Sequence, residues 1–164
     1  MIKRILTLFL VVLTINSYSQ KVGYVHRDSV LLSLPEMKIA QQELNDYLTF
    51  AEQELEVMQK DYQEKSEIFG KNQQTYSDAV KSNKLREITD LEKRIQDFQT
   101  QAQKEFSDKQ NKLLIPIEKK FYDAVVKVRK KLGYDVVMNI SFEILYVNPK
   151  FIITSEVLAE LGIK

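Results

Sequence analysis

Between Glu36 and Leu132, apolar residues recur at alternating steps of four and three along the chain. Leu44, Leu48, Ala51, Leu55, Met58 and Tyr62 keep this spacing, and Phe69 and Tyr76 continue it. It is the seam spacing of two helices wound together. A second run reads Ile88, Leu91, Ile95, Phe98, Ala102, Phe106, Leu113, Ile117 and Phe121. The pattern breaks between the runs at Ser77-Asp78 and Ser82-Asn83, residues suited to turns and helix caps. Apart from Gly70 and Pro116, the stretch is dominated by Gln, Glu, Lys, Leu and Ala, which lose little side-chain freedom in a helix. The pattern predicts a helix out, a turn near residues 77–83 and a helix back, each arm roughly 60 to 75 Å long.

The flanks change period. Lys21 to His26 reads as a strand, with Val22 and Tyr24 on one face and Gly23 and Val25 on the other. Asp28 is placed to cap a short helical turn through Val30, Leu31 and Leu32, and Pro35 suits the first turn of the long helix. Leu132-Gly133 ends the return helix. Tyr134 to Ile140 alternates as a second strand, and Ile144 to Val147 is expected to form a third before Asn148-Pro149. Val136 and Val147 are expected to be buried on a face of these strands. Thr154 is expected to cap a last short helix whose apolar face is Val157, Leu158 and Leu161. The fold class is therefore α+β: a long antiparallel coiled-coil hairpin, residues 35–132, projecting from a small β-body. That body is discontinuous, residues 20–34 and 133–164, and its thin core predicts self-association.

Residues 1–19 carry a secretory pattern. Lys3 and Arg4 precede the apolar run Ile5 to Ile15, and Ser17-Tyr18-Ser19 supplies small residues for cleavage after Ser19. A retained anchor is the alternative, although the run is short for a membrane span. Cleavage takes the formal charge from +1 to −1. The two arms differ in sign. Three bases oppose nine acids between Glu36 and Phe69, whereas nine bases oppose four acids between Lys104 and Lys131. Side by side in a hairpin, these segments attract and favour one register.

Candidate chemistry is sparse. The absence of cysteine excludes disulfides, thiolate metal sites and cysteine nucleophiles. His26 is the single histidine, and one imidazole alone neither chelates nor relays a proton. No metal-binding, phosphate-binding or nucleophile-elbow motif occurs, so no catalytic residue, metal site or cofactor is expected. Surfaces remain. Phe50, Val57 and Ile68 fall on a line roughly 120° from the seam, with Tyr47 between the two lines. They form a candidate stripe for reversible contact with nonpolar segments of a partner. Lys71, Lys81, Lys84 and Arg86 make a basic arm tip suited to weak contact with an anionic membrane surface. Nucleic acid is not an expected partner, because aromatic residues do not interleave with a basic groove.

One end of the chain reads Lys21-Val22-Gly23-Tyr24-Val25, Val30-Leu31 and Leu34-Pro35-Glu36. The other end reads Leu132 to Val137, Leu145 to Pro149, and Thr154 with Val157-Leu158. In this order around a long hairpin, these residues resemble the Skp/OmpH family of periplasmic chaperones. The resemblance implies a homotrimer whose strands join in a central body and whose arms enclose a cavity. It implies ATP-independent holding of unfolded outer-membrane proteins in the periplasm. For want of any catalytic constellation, a binding protein rather than an enzyme is expected. An envelope coiled-coil scaffold is the alternative. His26 and Ile152 stand where the family usually has acidic or amide residues, and this chain lacks the marked basicity of well-known members.

Overall fold

A computed structural model describes residues 20–141 and 143–163, so the secretory segment 1–19 lies outside the described residues. The elements run β1 (Val22–Val25), α1 (Arg27–Ser33), α2 (Pro35–Asn72), α3 (Asp78–Leu132), β2 (Val136–Asn139), a 3-10 turn (Pro149–Phe151) and α4 (Thr154–Glu160). They form two compact units. One combines the described residues up to Ser33 with those from Lys120 onward, and the other is Leu34–Lys119.

The first unit is built on β1 and β2, which pair in parallel from Val22↔Val136 to Val25↔Asn139. On its other side β1 bridges Ile152, and the Ile153 amide donates to the Tyr24 carbonyl at 2.8 Å. Gly23 and Val25 form the buried face of β1. A Cβ at Gly23 would stand 3.3 Å from the Tyr134 ring, so glycine here lets that aromatic lie flat on the strand. Val30, Leu31, Phe121, Ala124, Val128, Ile153 and Val157 complete the core. Gly133, at φ +67°, ends α3 in the left-handed conformation that glycine adopts without cost. The Tyr134 amide then reaches back to the Arg129 carbonyl at 3.0 Å, closing the helix end as a Schellman turn. Lys21 Nζ donates to the Leu132 carbonyl at 2.7 Å and lies 4.3 Å from the centre of the Tyr134 ring.

Three expectations for this unit change. Ile144–Val147 is not a strand: Leu145 and Tyr146 are 98% and 77% exposed, and among the described residues the segment joins no ladder. Val136 is exposed as well, since the inward-facing position of β2 is Val137. Asp28 and Thr154 are not the caps, because each lies inside its helix. The Arg27 amide is capped instead by Asn139 Oδ1 at 3.0 Å, and Thr154 Oγ1 accepts the His26 amide at 3.0 Å. These partners are distant in sequence, so local cap rules miss them.

In the second unit α2 runs antiparallel to the first part of α3. The sequence pattern places the turn at residues 77–83, whereas the structure turns at 73–77. Ser77 decides this, its carbonyl accepting the Lys81 amide at 2.9 Å and its hydroxyl the Val80 amide at 3.4 Å. Ser82 and Asn83 then continue the helix, at a propensity cost of only about 0.5 kcal/mol each. With 38 and 55 residues, α2 and α3 measure about 57 and 82 Å. Inside α3, Pro116 deprives the carbonyl of Lys112 of its helical partner. Ala40, Leu44, Leu91 and Ile117 are the buried seam positions.

The seam weakens toward the turn. Lys65 occupies a seam position and pairs with Asp61 at 3.1 Å, while Asn72 folds back onto the Ile68 carbonyl at 2.9 Å. Gly70 lowers local helix stability by about 1 kcal/mol relative to alanine. Amides between Lys65 and Lys84 are therefore expected to exchange hydrogen faster than those between Ala40 and Leu48. Exchange followed by mass spectrometry checks this, and uniform protection along the arm would contradict it.

Candidate functional site

Helix α2 has two apolar faces. At 100° per residue, Ala40, Leu44, Ala51, Leu55, Met58 and Tyr62 point to α3. Phe50, Val57 and Ile68 point away, and they are 54%, 65% and 45% exposed. Ile39, 60% exposed, falls on the same line and extends it toward the start of the helix. The helical arithmetic that picks out the other three also reaches Ile39, which the sequence reading missed.

Tyr47 joins the two faces. Its hydroxyl donates to Glu105 Oε2 at 2.9 Å and lies 3.2 Å from the Ala102 carbonyl. Its ring stands 6.4 Å from both Phe50 and Phe106, so an aromatic row runs from the helix pair to the outer stripe. Partial burial, reinforced by the Glu105 carboxylate, raises the Tyr47 pKa. Hydrogen bonds from Gln101 and then Tyr47 lower that of Glu105. The lowered carboxyl means the contact holds above the ordinary Glu pKa and is lost as pH falls through the folded value. The raised phenol keeps it intact until pH climbs through the folded Tyr47 value.

Near this row the seam is open. Leu48, Ala51 and Leu55 face Phe98 and Ala102 across a shallow groove of about 180 Å³. The two alanines are too small to fill the space, which leaves Leu48 41% exposed at a position the heptad spacing assigns to packing. The arm therefore presents both a groove and an outer stripe of apolar surface.

The basic tip is more neutral than its lysines suggest. Lys71 pairs with Glu67, Lys84 with Glu87 at 3.0 Å, and Lys81 stands 3.9 Å from Asp78. From Glu67 to Glu87 four cations face three acids, leaving +1, and Arg86 is the cation with no acidic partner among the described residues. Lys109 meets Glu43 at 3.4 Å, an ion pair between the oppositely charged arms. Among the described residues no cluster of His, Cys, Asp or Glu could hold a metal ion, and no helix is long and apolar enough to cross a membrane. His26 is exposed at the end of β1.

Comparison with known proteins agrees with this architecture. The chain is similar to a crystal structure from Caulobacter crescentus CB15, described as an OmpH-like outer membrane chaperone. The likeness has a TM-score of 0.72 at 15% sequence identity and covers 89% of this chain and 86% of that one. At that identity it speaks for a shared fold. No curated protein gives a significant match. The family model for outer membrane protein (OmpH-like) matches residues 21–161, spanning the β-body on both sides of the hairpin and the hairpin itself, and the chain belongs to the OmpH-like family.

Proposed function

We propose that this chain is an ATP-independent holdase chaperone of the periplasm. It binds unfolded outer-membrane proteins between helical arms and prevents their aggregation. The observation that carries this reading is the line of large apolar side chains on the outer face of α2, left in solvent along most of the arm. Holding a chain without ATP calls for many weak apolar contacts, each released when the client finds a better-folded alternative. The family and the description of the Caulobacter protein support the same reading. The test dilutes a urea-unfolded β-barrel protein into buffer without nucleotide and follows light scattering. Scattering should fall as the chain is added. Unchanged scattering would leave the envelope scaffold as the better account.

The reading includes a homotrimer assembled through the β-body. Its support is the apolar surface that one copy leaves bare: Leu145, Tyr146, Val136 and Met138. The outer edge of β2 also has no strand partner among the described residues. Val136→Asp is expected to convert a trimer into smaller species when mass is measured by light scattering. A wild-type chain that is a folded monomer at micromolar concentration would refute the assembly. Contact of the arm tip with an anionic membrane rests mainly on Arg86, since the three lysines are paired, and is correspondingly weak.

A further inference from the structure

The outer face of α2 is charged as well as apolar. Asp46, Phe50, Glu54, Val57, Glu64 and Ile68 succeed one another along a single ridge, the acids within roughly 60° of the apolar line. Asp61 lies on the same ridge and is paired with Lys65. Glu54 and Glu64 meet no cation among the described residues, and Asp46 is bound by the neutral amide of Gln42 at 2.7 Å. Lys109 pairs with Glu43, so the unneutralised part of the ridge begins beyond that point. The ridge runs about 33 Å, with acid and apolar groups alternating at steps of roughly 4.5 to 6 Å for most of its length.

We infer that this ridge selects extended client segments in which basic and apolar residues share one face. Same-face side chains of an extended chain are spaced by roughly 6.6 to 6.8 Å, close to the step of the ridge. A segment carrying Lys or Arg between aliphatic or aromatic residues sets its cations against Asp46, Glu54 and Glu64 and its apolar groups against Phe50, Val57 and Ile68. An acidic segment of equal hydrophobicity meets like charge at each of these points. The preference is local, because the chain without residues 1–19 has a formal charge of −1. It rests on the holdase reading and adds a choice among client segments.

The test uses the full chain without residues 1–19 and two fluorescent peptides of identical apolar content, one with lysines and one with glutamates between the apolar residues. Anisotropy should show the lysine peptide binding roughly tenfold tighter at low salt, with the gap closing near 0.5 M salt as screening shortens the reach of each charge. Glu54→Lys with Glu64→Lys should abolish or reverse the preference. Glu92→Lys with Asp97→Lys, on exposed positions of α3, makes the same change in net charge and should leave it intact. Equal binding of the two peptides, or a preference that follows net charge in both double variants, overturns the inference while leaving the holdase reading in place. If neither peptide binds and the β-barrel protein still aggregates, both fall together.

Discussion

Replacing Phe50, Val57 and Ile68 together by serine is expected to reduce capture of an unfolded client at least about tenfold. The three side chains point away from α3, and the ring that Phe50 meets, Tyr47, lies on its own helix, so truncating them leaves the seam residues in place. Serine in an exposed helical position costs only about 0.5 kcal/mol per site, which a helix this long absorbs. Each lost contact of about 50 Å² removes roughly 1 kcal/mol of binding, and the losses recur in every arm that touches the client. Helix content and oligomer mass should stay at the parent values, which separates this variant from one that unfolds. Leu44→Ala is the contrasting change. Leu44 is buried in the seam, so its loss should destabilise the arm by about 2 to 4 kcal/mol and lower its melting temperature. Undiminished capture by the triple variant would place the client contacts elsewhere, with the open groove between Leu48 and Phe98 the next candidate.

The second large effect concerns the β-body. Tyr134→Ala should cost about 3 to 5 kcal/mol, as truncation of a buried aromatic does elsewhere. Tyr134 is 6% exposed, lies flat against Gly23, and receives Lys21 over its ring. Tyr134→Phe keeps all of this and gives up only a long hydroxyl contact of 3.4 Å to the Lys150 carbonyl. It should change stability by less than about 1 kcal/mol. Urea melts of the two variants decide the matter, and equal midpoints would mean that the ring does not hold the strands together.

The helices were legible from periodicity because apolar steps of four and three persist over many turns, and Pro35 and Gly133 mark their outer ends. Spacing alone does not place the turn, because two Ser-containing pairs compete and propensity separates them by only tenths of a kcal/mol. The outer stripe follows from helical angles, which reach Ile39 as well, whereas the alanine-lined groove does not follow from spacing. Opening of a seam depends on side-chain volume in three dimensions, which a heptad pattern does not encode. Ile144–Val147 carries strand-like residues and stays irregular because, among the described residues of one copy, no neighbouring strand supplies it with backbone partners. The same gap explains why the caps of α1 were missed: Asn139 and Thr154 arrive from the far end of the chain.

The parallel pairing of β1 with β2 sets an order of events during folding. Val25 and Val136 are separated by about 110 residues, and closing so long a loop directly carries a large entropic cost. Newly made β1 has neither β2 nor the Ile152 stretch to pair with until nearly the whole chain exists. The two long helices can form earlier, since their bonds are local and a hairpin brings its own ends together. Once it has zipped, the loop left to close between the strands is short. The hairpin thus serves its own chain first, as the device that delivers the second strand to the first.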